Sequence, residues 1–431
     1  MSMVIQQAAA SSPETAQRAY RKAYWRLVPF LMACYLLAYL DRTNIGFAKL
    51  QFIHDLGFTD AIFGLAAGIF FLGYVLLEVP SNLALEKMGV RTTLLRIMVL
   101  WGICATALAF ISDAWHFYLL RFLLGAAEAG FFPGILYYLT LWTPARRRAR
   151  LTAMFMSSMG ITGVIGGPLS GWIMSSLAGV WGLAGWRWLF VIEGILPVIF
   201  GIVAYFYLNN APAEARWLND EEKAVILADL AAEEKAERGR SYHSFAAALH
   251  APQFYFLVGL ATAVIASTGG VFFWIPTIIA RSGVTDLLSV GLLSAIPFVI
   301  GVPLQQVIAF HSDRVLERRW HACVPAFVAA AGWAALPSVA QSPALSLVAL
   351  TLTASGTLGI MGPFWTMPSA FLTGPARAGG IALITTLAGL GSFVSPWLVG
   401  WLATETGSLA AGQYYYAGQL TLGARHLLVG I

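Results

Sequence analysis

The feature that most constrains this chain is a succession of twelve apolar runs, each long enough to cross a membrane as an α-helix. A helix rises about 1.5 Å per residue, so about 20 apolar residues span the ~30 Å hydrocarbon core of a bilayer. With 58% hydrophobic and 11% charged residues, the 431-residue chain has too little polar surface for a soluble globule. The sequence therefore predicts an all-α membrane protein with twelve transmembrane helices, numbered here as spans one to twelve, at 25–47, 60–85, 93–112, 115–142, 150–178, 187–208, 253–280, 286–310, 320–340, 343–372, 378–403 and 411–431.

Lysine and arginine are distributed unevenly over the connections between these spans. Short, positively charged connections stay on the cytoplasmic side of a membrane. One alternate set of connections holds only Lys49, Arg187 and Arg281. The other set carries clusters at Arg18, Arg21, Lys22, Arg26, Lys87, Arg91, Arg96, Arg146, Arg147, Arg148, Arg150, Arg314, Arg318, Arg319 and Arg377. We therefore expect both termini in the cytoplasm, and the net charge of +5 reflects this bias rather than binding to nucleic acid.

One long polar segment, rich in Glu, Lys, Ala and Arg, separates the first six spans from the last six. Within it, Asn219 followed three residues later by Glu222 fits a helix capping box, which predicts a helix that tethers the two sets of spans. The expected organisation is an N-terminal cytoplasmic segment at 1–24, a six-helix bundle at 25–208, a cytoplasmic linker at 209–252 and a second six-helix bundle at 253–431.

The two sets of spans resemble repeats. Pro168 corresponds to Pro396 at an offset of 228, and Pro133 corresponds to Pro363 at an offset of 230. Parallel six-helix repeats joined by a linker are typical of secondary transporters, which rock two halves around a site near the bilayer midplane. The sequence therefore predicts two pseudo-symmetric six-helix bundles.

Ionisable residues inside the spans are the candidates for function, because each costs roughly 2.5 to 3.5 kcal/mol to place at the bilayer centre. An arginine presents a rigid fork of donors that fits a carboxylate, which makes Arg42 the predicted substrate anchor. A buried carboxylate can exchange a proton in response to a neighbouring cation, so Asp41 and Glu128 are the predicted proton carriers. The alternative is a static ion-paired network that only sets helix packing. This alternative weighs most for Glu78 and Glu193. The full set is Asp41, Arg42, Glu78, Arg121, Glu128 and Glu193.

The connection after span two carries a recognisable motif. Residues 82–91 read NLALEKMGVR, and the charged pair Glu86-Lys87 has a counterpart at Asp313-Arg314 after span eight. This loop resembles the signature loop of the major facilitator superfamily, although that signature begins with glycine and has Asp-Arg where Glu86-Lys87 stand. The resemblance implies a gating loop, in which carboxylates and guanidinium groups pair across helix ends, formed by Glu86, Lys87, Arg91, Asp313 and Arg314.

A second resemblance covers nearly the whole chain. It rests on LDRTNIGFA at 40–48, Gly73-Tyr74 with EVPSN at 78–82, and Arg121 followed by GAAEAGFFPG at 125–134. These motifs resemble the anion:cation symporter family, whose members move carboxylates such as tartrates, phthalates and sugar acids, usually with protons. The resemblance implies that Arg121 pairs with Asp41 or Glu128 and releases it on protonation. It also implies a bacterial inner membrane.

Aromatic and hydroxyl side chains near these charges predict a substrate pocket. Tyr39 precedes Asp41 by two residues, and the resemblance places Tyr74 near substrate. In the second half, spans seven, ten and eleven face the cavity in this architecture, and they carry Phe273, Trp274, Trp365 and Thr386. The few amide side chains around these positions favour a tartrate-like or aromatic acid at least as much as a long sugar acid.

Other functional classes lack their sequence signatures. We find no phosphate-binding loop for an ATP-driven pump and no nucleophile or metal-ligand set for a membrane enzyme. The three cysteines have no metal-site spacing, so neither a metal nor another cofactor is expected. The sequence predicts a transporter, functional as a monomer, that imports an organic carboxylate by proton symport. The alternatives are a proton-independent facilitator or exchanger of organic anions and a transporter-like ligand sensor.

Overall fold

The computed structural model describes residues 13–237, 252–371 and 375–430, which contain fourteen α-helices and no strand. The helices are α1 Pro13–Asp55, α2 Asp60–Met88, α3 Val90–Ala107, α4 Ala114–Glu128, α5 Phe131–Thr140, α6 Ala145–Ser176, α7 Gly185–Tyr207, α8 Asp220–Glu237, α9 Pro252–Arg281, α10 Leu287–Val315, α11 Arg319–Val339, α12 Pro343–Phe371, α13 Pro375–Thr406 and α14 Ala410–Gly430.

A helix, or for span four a pair of helices, lies at each of the twelve predicted spans. Ten of the described helical segments are both long and apolar enough to cross a membrane. Helices α4 and α5 together form span four, and α8 is the predicted helix between the two halves. The largest difference from prediction is α1, which begins at Pro13 rather than at residue 25 and ends at Asp55 rather than at residue 47. Its extra turns contain good helix formers such as Arg and Ala, so the helix continues beyond the apolar run.

Helices within each half pack closely through small residues. Between α2 and α4, Gly73 lies against the backbone of Phe122, and Gly125 lies against the backbone of Phe70. Lipid tails are as apolar as leucine, so helix association in a membrane depends on such close van der Waals contact. These contacts fix α4, and with it Arg121, against α2.

The two halves meet along three helix pairs, α1 with α9, α2 with α13, and α6 with α10. On α2, Gly68 lies against the backbone of Phe393, and two turns further on Val75 lies beside Gly389. The next residue on this face of α2, Val79, is 66% exposed. We name the end of the bundle at which α1 begins and α14 ends the terminal end, and the opposite end the distal end. The halves are therefore in contact at the distal end and separate towards the terminal end.

Helix α8 docks on α1 at the terminal end. The predicted capping box is confirmed, because the Glu222 backbone N–H donates to the Asn219 side chain at 2.8 Å and the Asn219 N–H donates to the Glu222 carboxylate at 3.1 Å. The same carboxylate accepts from Arg18 at 3.0 Å and from Lys22 at 2.9 Å. One glutamate thus both starts α8 and ties it to the first transmembrane helix.

Candidate functional site

The middle of the bundle holds an ion pair between Arg42 of α1 and Glu128 of α4. The Arg42 Nη2 atom lies 2.5 Å from Glu128 Oε1, and the Glu128 side chain is fully buried whereas that of Arg42 is 18% exposed. Glu128 is the last residue of α4, and Gly130 adopts a left-handed φ of 85° before α5 begins. The break in span four therefore places the carboxylate at a helix end inside the membrane, a feature of transporter binding sites.

Three aromatic rings surround the Arg42 guanidinium. Its central carbon lies 5.2 Å from the ring centre of Tyr39, 5.3 Å from that of Tyr74 and 5.4 Å from that of Phe70. Such rings attract a cation through their electron-rich faces and exclude water from it. The structure thus brings together Arg42, Tyr39, Tyr74 and Glu128, all of which the sequence singled out.

Arg121 and Asp41 lie beside this ion pair and are both buried. Arg121 donates from Nε to the Ala66 carbonyl at 3.3 Å and lies 4.7 Å from the Phe70 ring. Its two Nη atoms and both Asp41 carboxylate oxygens have no hydrogen-bond partner among the described residues. Asp41 and Glu128 are within electrostatic reach of Arg121. In this conformer Glu128 bonds to Arg42, whereas the family resemblance implied that Arg121 pairs with either Asp41 or Glu128.

A further buried carboxylate, Glu193 of α7, lies in the same polar region. Asn44 of α1 and Ser170 of α6 are its polar neighbours, and Asp41 is within electrostatic reach. The sequence leaves the role of Glu193 open and gives no sign that Asn44 is its neighbour, although Asn44 lies one turn after Asp41 in the same motif. The structure shows that Glu193 belongs to the central cluster by position.

The four candidate residues of the second half are dispersed. Phe273 is buried against Phe71, with ring centres 6.3 Å apart, and Trp274 lies 4.0 Å from the Lys49 amine. Trp365 is half-buried and Thr386 is exposed. Among the described contacts, none joins these four side chains to Arg42.

The aromatic side chain of the second half that reaches the Arg42 region is Phe272, one residue before Phe273. Its ring centre lies 6.0 Å from that of Tyr39, and it stacks on Phe298 at 5.0 Å. Sequence reasoning missed it, because adjacent aromatic residues in a helix give no sign of which one points to the cavity.

The predicted gating loops lie at the terminal end. Arg91 donates to the Tyr205 carbonyl at 2.7 Å, and in the second half Asp313 pairs with Arg318 at 2.6 Å. Lys87 and Arg314 are exposed, and the Glu86 side chain lies outside the described part of the structure. Asp313 therefore pairs with the guanidinium of Arg318, and the gating role of these loops stays a prediction.

Comparison with known proteins identifies the family. The sequence model of the Major Facilitator Superfamily matches residues 31–396. The chain belongs to the major facilitator superfamily. It is 44% identical over 415 residues to an Agrobacterium vitis protein named as a tartrate transporter, covering 96% of this chain and 94% of the relative. It is 43% identical over 403 residues to the Pseudomonas putida metabolite transport protein NicT, covering 94% of this chain and 92% of the relative.

A solved structure shows the same fold. The partially occluded, inward-open xylose transporter XylE from Escherichia coli superposes with a TM-score of 0.75 at 15% identity, covering 95% of this chain and 98% of that one. The predictions of a major facilitator fold and of a transporter rather than an enzyme are thereby confirmed. The chain is a multi-pass membrane protein, and in bacteria such a protein resides in the inner membrane.

Proposed function

We propose that this transporter imports an organic carboxylate by proton symport through alternating access. The observation that carries the proposal is the Arg42–Glu128 ion pair, in which the Arg42 side chain is partly exposed and the Glu128 carboxylate is fully buried. Arg42 Nε and Glu128 Oε2 are buried and have no hydrogen-bond partner among the described residues. The pair therefore retains donor and acceptor capacity for a substrate and for a proton.

Competition for one guanidinium couples the two ligands. A substrate carboxylate that binds Arg42 displaces Glu128, and the displaced carboxylate would remain buried with an uncompensated charge. Protonation of Glu128 removes that charge and frees Arg42, so proton and substrate favour each other's binding. Asp41 next to Arg121 provides a second carboxylate beside a cation, at which a further proton exchanges.

The orientation of the chain in the membrane follows from the charge asymmetry. Positively charged connections lie at the terminal end, which we assign to the cytoplasm. The conformer described here then opens inwards, and its substrate leaves towards the cytoplasm. Each monomer has its own central site between two complete bundles.

The substrate class follows from the lining. One arginine among Tyr39, Tyr74 and Phe70 suits a carboxylate on a compact or aromatic body, and a tartrate-like acid, an aromatic acid and a sugar acid all present that group. Relatives named for tartrate and metabolite transport support the same class.

The test is uptake of a panel of labelled carboxylates into liposomes with an imposed proton gradient. We expect wild-type protein to accumulate one acid, Arg42→Ala to lose uptake, and Glu128→Gln to equilibrate the acid without responding to the gradient. Glu405→Gln, an exposed carboxylate at the distal end, is the matched control and should accumulate normally. Equilibration by the wild type regardless of the gradient would indicate a facilitator or exchanger, and binding without flux would indicate a sensor.

A further inference from the structure

Three charged side chains from both halves meet at the distal end, and the central site does not use them. Lys49 of α1 and Arg281 of α9 share one carboxylate, Asp60 of α2. The Lys49 amine lies 2.6 Å from Asp60 Oδ1, and Arg281 Nη2 lies 2.7 Å from Asp60 Oδ2. We name these three residues the distal triad. The sequence placed Lys49 in a connection, whereas the structure places it within α1, two turns after Arg42.

The triad divides unequally between the halves. Lys49 and Asp60 both belong to the first half, and the Lys49 amine is nearly inaccessible, lying 4.0 Å from the Trp274 ring. Arg281 belongs to the second half, and its side chain is 45% exposed. When the halves separate, the Lys49–Asp60 pair can persist, but the Arg281–Asp60 bond must break. Its strength therefore bears directly on opening of the distal end.

A cleft of about 580 Å³ adjoins the triad. This volume falls within the ~300 to 1,000 Å³ range of small-molecule sites. Besides the triad, its polar lining comprises His54, Thr59, Thr277, Thr285 and Thr404. Two cations share one carboxylate, so the lining carries an excess positive charge that attracts anions.

We infer that this cleft is a capture site for small carboxylates, in which the arriving acid replaces Asp60 as the partner of Arg281 and so releases the contact between the halves. A guanidinium binds the carboxylate of a free acid in the same bidentate geometry as it binds a side-chain carboxylate. The exposed part of Arg281 gives the acid access, whereas buried Lys49 remains to neutralise Asp60 after the exchange. Binding is then stronger when the distal end is open, which shifts the population towards that state. The identity of the acid as the transported substrate rests on the proposed function.

Transport kinetics distinguish a capture site from an ion pair that only holds the halves together, because Arg281→Ala and Asp60→Asn break the same bond. An ion pair with no capture role predicts that both variants change KM alike. For capture, we expect Arg281→Ala to raise KM for uptake from the distal side about tenfold, as loss of a charge-assisted bond implies. Asp60→Asn keeps both cations and should not raise KM. Arg187→Gln, which removes another charge at this end outside the cleft, is the control and should leave KM unchanged.

Distance measurement tests the capture step without transport. Spin labels at exposed Trp181 and Glu405, in a background without the native cysteines, report the separation of the halves at the distal end. Tartrate or benzoate should lengthen this distance in the wild type and in Arg42→Ala, whereas chloride at equal ionic strength should not. Arg281→Ala should show no acid response.

The outcomes distinguish the two proposals. An unchanged distance in the wild type, a normal response in Arg281→Ala, or loss of the response in Arg42→Ala would overturn the capture site. Acid-dependent lengthening in a protein that accumulates no carboxylate would refute symport and leave the capture site standing.

Discussion

In the proposed cycle Arg42 holds two different anions in turn, Glu128 when no substrate is bound and a carboxylate of the substrate when it is. The ion pair with Glu128 uses one Nη atom, and Nε remains without a partner in the described structure. A guanidinium has five donors in a planar fork, whereas an ammonium is a point charge. The function of this position therefore depends on the shape of the cation as well as on its charge.

We expect Arg42→Lys to retain a response to the proton gradient while raising KM for the acid at least about tenfold, because an ammonium cannot bind the carboxylate of the acid through two parallel N–H bonds as a guanidinium does. Initial rates of uptake at several substrate concentrations give the KM, and the same liposomes without a gradient give the coupling. Unchanged KM in Arg42→Lys would show that Arg42 acts only through its charge.

The sequence predicts which charged residues belong to the central site, but it does not predict the distal triad. Asp41, Arg42 and Glu128 lie within long apolar runs, where an ionisable residue is conspicuous. Lys49 and Asp60 flank a connection, and there a charged residue has an ordinary explanation as a surface group. Only the three-dimensional arrangement shows that Lys49 is buried between the halves and that Arg281 reaches Asp60.

Among the elements, helix positions were predictable and helix continuity was not. Apolar length fixes where a span lies, since a helix must cover the hydrocarbon core. The break between α4 and α5 rests on one glycine in a run that contains several, and α1 continues beyond its apolar run at both ends. Apolar length alone reveals neither feature.

Helix α8 should detach from α1 at acid pH. Burial alone would raise the pKa of the Glu222 carboxyl, but hydrogen bonds from Lys22, the Asn219 backbone and Arg18 outweigh it and hold the pKa below the usual 4.5. A lowered pKa stabilises the folded contact above the unfolded value and loses that effect as pH falls through the folded value. The contact should therefore be constant from pH 7 to about 5 and weaken below about 4.5.

Spin labels at exposed Arg21 and Glu221 report this contact. At pH 7, Glu222→Gln should broaden the distance distribution, and the wild type should approach the variant as pH falls below about 4.5. Asp220→Asn, an exposed neighbour of the same charge, should behave as the wild type at every pH. A wild-type distribution that stays narrow at low pH would show that other contacts hold α8.

At the scale of the whole molecule, close helix contacts at glycines serve two purposes. Glycines join helices closely within the first half, as at Gly73, and also join the two halves at the distal end, as at Gly64. In the proposed alternating-access cycle, contacts within a half persist, whereas contacts between the halves form and break once per cycle. Equivalent substitutions at the two kinds of glycine should therefore have different consequences.

Gly64→Val should favour the state that is open at the distal end, because a Cβ at this position would overlap the Pro396 carbonyl oxygen and lie 3.0 Å from the Gly400 Cα atom when the halves are in contact. The Trp181–Glu405 spin-label distance should lengthen without any acid, and uptake should fall because the distal end cannot close. Thermal stability should change little, since each half can still pack internally.

Gly73→Val, which introduces a similar overlap within the first half, should lower thermal stability without shifting the Trp181–Glu405 distance. Gly418→Val, where a Cβ meets nothing within 4 Å, is the control for both. Loss of stability in Gly64→Val with an unchanged distance would mean that the two halves form one rigid unit, which is incompatible with alternating access around the Arg42–Glu128 site.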